Sequence, residues 1–171
     1  ARDFMDLSFR MESGRALPRL TRFEGPISLR VVGEAPISLA PDLGRLLKRL
    51  RLEAGINLEV TDSANASITI VTLPKATMQR YVPNAACFVV PPVQSWAEFR
   101  TLRPTASVDW ARLKVRDKVG IFMPGDVSPQ EIRDCLHAQL AQPTGPPHDL
   151  YRLPVCLLHA SNLHHVLTGS D

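Results

Sequence analysis

The chain of 171 residues carries 20 Lys and Arg against 17 Asp and Glu, a formal net charge of +3, and 44% of it is hydrophobic. With a mean hydropathy of −0.04 and a pI near 9.0, this is the composition of one soluble globular domain with a sizeable core. It excludes a membrane-spanning helix, because no apolar run approaches the roughly 20 residues that one needs. It also argues against a nucleic-acid binder, since the basic excess is mild and dispersed and aromatics make up only 6%. No G-x-G-x-x-G or P-loop supports nucleotide binding. The chain begins at Ala1 rather than Met and shows no signal peptide, which fits a processed mature protein or a boundary chosen within a longer one.

Residues 4–12 alternate like a strand but also fit a helix face, and a short helix is favoured. Gly25-Pro26 opens a strand over 27–32, with Ile27, Leu29 and Val31 inward. A helix then starts at Pro41-Asp42. Leu43, Leu46, Leu47 and Leu50 give it a core face, and Gly55 is placed to cap it. Arg45, Lys48, Arg49 and Arg51 alternate with those leucines and form its solvated face. Strands follow at 56–60 and 67–73, and a short apolar one at 87–90 is closed by Pro91-Pro92. Ser95 caps a helical turn over 95–100, and 101–117 is polar and irregular. The last strand is 119–123. A final helix has Ser128 at its N-cap, Pro129 at N1 and Glu131 at N3, a capping box, and an apolar stripe of Ile132, Leu136 and Leu140 with Cys135. Pro143 is expected to end it. The order is β-α-β-β-β-β-α, an α+β fold with a mixed sheet of four to five strands on two main helices.

That last helix carries a degenerate frame. From Ala138, the sequence runs A-Q-x-x-Q-x-x-G-x-x-H-D, where a zinc-protease helix has H-E-x-x-H-x-x-G-x-x-H-D. In such a helix two histidines four apart bind one zinc ion, and the glutamate after the first activates the bound water. Here Ala138 and Gln142 take the two histidine positions and Gln139 takes the base position, while Gly145, His148 and Asp149 match. Alanine cannot ligate, and neutral glutamine is a poor zinc ligand and no base. The sheet-then-helix order ahead of the frame is that of the metzincin half-domain.

The blocks "DFMDLSFRMESGRALPRLTRFEGPISLRV", "AACFVVPPVQSWAEF", "FMPGDVSPQEIRDCLH", "LAQ", "DLYRLP" and "HHVLTG" resemble the proteobacterial family called domain of unknown function 2927, over nearly the whole chain. The resemblance implies an exported, periplasmic or secreted protein, in many members a lipoprotein anchored at an upstream N-terminus, with no established activity. Members carry two acidic residues at the positions of Ala138 and Gln139 and an Asn at that of His148, so the family is similar to a zincin already without its histidine pair. Its sequences continue past "LTG", so residues 1–171 are expected to form a single zincin-like domain lacking a C-terminal helix. No cofactor is implied. What remains is binding: a protein or peptide partner lying along the old substrate edge strand, or a subunit role in an envelope assembly.

All five histidines lie in the last 35 residues, an interval that begins at His137. A rebuilt zinc site from His137, His148 and His164 or His165 would make the chain a metallohydrolase with a non-standard centre. Against it, His137 is turned by about 100° from the Ala138 direction, and the adjacent His164 and His165 diverge. Cys135 and His137 do not face each other on a helix, and Cys156 with His159 reads as a buried thiol rather than a nucleophile. Three cysteines leave one unpaired in an exported protein, or three thiols in the cytosol. In a metzincin-like layout the edge strand runs beside the frame helix, which implies a Cys87–Cys135 disulfide with Cys156 free.

Overall fold

The computed structural model describes residues 16–19, 21–105 and 108–144. Five strands form one sheet: β1 (Ile27–Gly33), β2 (Leu58–Val60), β3 (Ile68–Leu73), β4 (Phe88–Val90) and β5 (Val119–Pro124). Their order is β2-β1-β3-β5-β4. β1 pairs in parallel with both β2 and β3, and β3 with β5, while β4 alone runs antiparallel, opposite β5. Every side chain of β3 and β5 is buried, as strands covered on both faces must be. Four helices cover them: α1 (Leu39–Glu53), α2 (Lys75–Gln79), α3 (Trp96–Leu102) and α4 (Pro129–Thr144), with a 3-10 turn over Trp110–Arg112.

The period-two alternation of the strands splits the core in two. On one face Leu29, Ile68, Ile70, Ile121 and Met123 meet the stripes of α1 (Leu39, Leu43, Leu46, Leu50) and α4 (Ile132, Leu136, Leu140). On the other, Val71, Leu73 and Phe122 meet Met78 of α2 and Phe99 of α3. Phe88, Phe99 and Phe122 stack there with ring centroids 5.1–5.3 Å apart, and Trp96 joins them. The α+β class, the five strands and the two long helices are those expected.

The boundaries differ in instructive ways. α1 begins at Leu39, two residues before Pro41, because proline is tolerated in a first turn where its missing N–H has no helical partner. At its other end Gly55 takes φ +67°, and the Ile56 N–H returns to the Leu50 carbonyl at 3.0 Å. Ile56 is thus spent on the cap, and β2 starts only at Leu58. The five-residue α2 was not foreseen. α3 extends to Leu102, and Ser95 caps it by accepting the Glu98 N–H at 3.1 Å. α4 runs through Pro143 to Thr144 rather than stopping at the proline. The helix expected over residues 4–12 lies outside the described residues, and so does anything beyond Thr144. Gly33, at φ +95°, ends β1 so close to β3 that a Cβ there would stand 2.1 Å from the Thr72 carbonyl oxygen.

Two covalent and local features fix α4. The capping box is formed: the Glu131 N–H donates to Ser128 Oγ at 3.3 Å and the Ser128 N–H to Glu131 Oε2 at 3.1 Å. Cys87 and Cys135 are joined, with Cα atoms 5.9 Å apart and a sequence separation of 48. Reduction, or the Cys87→Ser/Cys135→Ser pair, is expected to lower stability by up to about 4 kcal/mol in the chain-entropy model. Denaturant unfolding with and without reductant measures this, and identical midpoints would count against the bridge. Ser128→Ala should cost about 1 kcal/mol by the same measurement, and no change would mean that the hydroxyl is not the operative cap.

Candidate functional site

On α4 the frame positions divide between two faces. Residues advance about 100° each around a helix. Taking Leu136 as the centre of the buried stripe, Ala138 and Gln142 lie roughly 200° and 240° away, together on the face turned from the sheet. Both are half-buried, as is Gln139, which lies nearer the core stripe. Geometry therefore keeps the two positions that would be ligands in a zinc-protease helix side by side, one turn apart, but presents a methyl group and a neutral amide. Gly145, His148, Asp149, His164 and His165 lie outside the described residues, as do His159 and Cys156. Among the described residues, no three His, Cys, Asp or Glu side chains converge. The residues at Ala138, Gln139 and Gln142 do not fit a zinc ion, having neither imidazole nor carboxylate to offer.

At the same helix end sits a cation of a different kind. Arg116 is 3% exposed. Its Nη1 donates to the carbonyls of Gln142 (3.1 Å) and Pro143 (2.7 Å), and its Nε donates to Thr21 Oγ1 at 3.1 Å. Its guanidinium lies 5.2 Å from the centre of the Trp110 ring. Burial lowers its pKa to about 10, so it remains charged at neutral pH. Helix C-terminal carbonyls carry partial negative charge and lack intrahelical donors, and Arg116 satisfies two of them. It thereby anchors the last turn of α4, where Pro143 stands. Sequence reasoning passed over Arg116 because it stands in a polar run without periodicity, and its partners are far away in the chain.

His137 occupies a third direction, towards α1. It is 5% exposed and its Nδ1 has no partner among the described residues. Burial first, then the positive charge of Arg49, lowers its pKa to about 4; Arg133 adds to this, while Asp42 and Asp134 oppose it. The neighbouring Asp42, buried at 3%, takes the guanidinium groups of Arg45 and Arg133, the latter at 3.4 Å, while its Oδ2 is unpartnered. The α1–α4 seam is therefore a polar seam in an otherwise apolar layer, and His137 belongs to it rather than to the face of Ala138 and Gln142.

The edge strand lies where the disulfide places it. Cys135 is three residues before Ala138 on α4, and Cys87 immediately precedes β4. Among the described residues β4 is bonded only to β5, so its outer edge is open. No helix of the described residues is long and apolar enough to cross a membrane. A family model described as "Protein of unknown function (DUF2927)" matches residues 1–171. None of the curated proteins matches the chain.

The His137 shift has a pH consequence. In the unfolded chain the imidazole titrates near 6.5, in the folded protein at about 4. Between these values the unfolded state binds the extra proton, so stability is full above pH 6.5 and falls as pH drops towards 4. The loss is on the order of 3 kcal/mol at most. Unfolding free energies of the wild type and of His137→Gln, compared from pH 7 to pH 4, should diverge by that amount; parallel curves would refute a neutral, buried His137.

Proposed function

The chain belongs to the DUF2927 family, and from that premise we propose that it is a non-catalytic, exported binding protein on a degenerate metalloprotease-like scaffold. It holds an extended segment of a protein or peptide along the open edge of β4, as an accessory or subunit of an envelope assembly. The observation that carries this reading is the pairing of two features on one rigid unit. An antiparallel edge strand with an open side is stapled to α4, and one turn further along α4 the positions that would bind metal and activate water hold Ala138, Gln139 and Gln142. The binding half of a protease cleft is retained and the chemical half is replaced.

Edge strands recognise extended peptides by main-chain hydrogen bonds, which require no particular side chains on the ligand strand. Nothing in that mode needs a metal. The disulfide supports export, because such bonds persist in oxidising compartments. Its position matters too: it ties the recognition strand to the helix beneath, so that β4, only three residues long, need not be ordered by its partner. The orientation of His137 into the α1 seam supports the binding reading over a rebuilt metal centre.

The purified protein is expected to hold no stoichiometric zinc and to leave generic peptide substrates uncut. About one tightly held zinc per chain, lost on His148→Ala, would overturn the reading. The binding half is tested by a photo-crosslinking residue at the exposed Ala86, just ahead of β4. It should form a discrete adduct with one envelope protein in the cell of origin, while the same group at the exposed Gly44 on α1 should not. Equal labelling from both sites would contradict a specific edge.

A further inference from the structure

Among the described residues the opposite margin of the sheet is open as well, and its chemistry is different. β2 is three residues long, pairs only with β1 among the described residues, and carries Val60 at 64% exposed. Beside it the last turns of α1 and the start of β2 enclose a groove of about 340 Å³ lined by Leu47, Lys48, Arg51, Leu52, Asn57 and Leu58. Leu47 and Leu58 give its lining an apolar part, and Leu52, which also lines it, is 70% exposed. An unprotected edge beside an exposed leucine is a combination that folded proteins ordinarily guard against.

Charge identifies the occupant. Of the four basic residues on this part of α1, two are neutralised within the helix: Arg45 by Asp42, and Arg49 by Glu53 at 2.9 Å. Lys48 and Arg51, the two that line the groove, have no carboxylate partner among the described residues. Glu59 does not compensate them, because side chains alternate along a strand and it points away from the face shared by Leu58 and Val60. We infer that this groove is a docking site for an extended acidic segment of a partner protein, whose backbone runs along β2. An apolar side chain of that segment enters over Leu47 and Leu58, and its carboxylates meet Lys48 and Arg51. The concavity and the open strand edge favour a peptide over a lipid surface, which offers neither an insertable side chain of fixed spacing nor backbone groups for β2. The site is separate from the β4 edge, with β1, β3 and β5 between them.

The test is a selection from a display library of randomised decapeptides on the intact, oxidised 171-residue protein. Wild-type protein should enrich peptides that alternate Asp or Glu with apolar residues. Their amide-shift footprint should fall on residues 47–60, and their affinity should drop by roughly tenfold or more in Lys48→Glu/Arg51→Glu. Both side chains are surface groups, and an unchanged melting midpoint of the variant shows that folding is intact. Leu52→Asp, read in parallel, should weaken the same peptides. Failure to enrich acidic peptides, or their retention by the charge-reversed variant, overturns the inference. A footprint on residues 87–90 overturns it as well, while supporting the β4 reading. Loss of co-sedimentation with phosphatidylglycerol vesicles in the double variant, without acidic-peptide binding, would replace the peptide by a membrane and likewise overturn it.

Discussion

The strand β3 exposes no side chain to solvent, and the rest of the molecule is arranged around that constraint. A central strand of Ile, Val, Leu and Thr needs a covering layer on each side. The two layers here differ in kind. Long helices α1 and α4 supply aliphatic stripes on one face, while short α2 and α3 supply an aromatic cluster on the other. Even the threonines of β3 are accommodated in these terms: Thr72 donates its hydroxyl proton to the Val32 carbonyl, and Thr69 accepts from Arg30. Buried polar atoms must be paired if the strand is to stay dry.

Because α4 lies against β5 and β4, its rotation is set by Ile132, Leu136 and Leu140, and everything else on it follows by helical phase. Cys135 falls on the side of β4 and is bridged to it. His137 falls on the side of α1 and becomes a neutral group in a polar seam. Ala138 and Gln142 fall on the face turned from the sheet. One packing decision thus distributes a disulfide, a buried histidine and the Ala138–Gln142 pair around a single helix.

Much of this was legible in sequence because it is local or periodic. The capping box at Ser128 and Glu131, the cap at Ser95 and the leucine stripe of α1 are short-range patterns, and the structure forms each of them. The Cys87–Cys135 bridge was legible through the layout that the family resemblance implied, not through spacing alone. What was missed lacked a local signature. α2 has five residues, of which only Met78 is buried, too few to display a period. The strand at 56–60 was overextended because Ile56 is as apolar as a strand residue, but its N–H closes the helix cap. Arg116 was unreadable because its partners, Thr21 and the carbonyls of Gln142 and Pro143, lie 95, 26 and 27 residues away. Of the frame itself, the sequence fixes the identity of every position, and the structure adds the directions of Ala138, Gln139 and Gln142.

The arginine also bears on how the C-terminal end of α4 is held. In a metal site, the ion draws the helix end and the following chain together and so fixes both. In this chain the end of α4 is held by a guanidinium that reaches the carbonyls of Gln142 and Pro143 from the segment ahead of β5, and that also donates to Thr21 and lies over the Trp110 ring. A hydrogen-bonded arginine satisfies helix carbonyls as a metal ion cannot within an all-imidazole set, because its fixed fork delivers several donors at once. The hold on that end of α4 therefore runs through backbone carbonyls, and the side chains of Ala138 and Gln142 take no part in it.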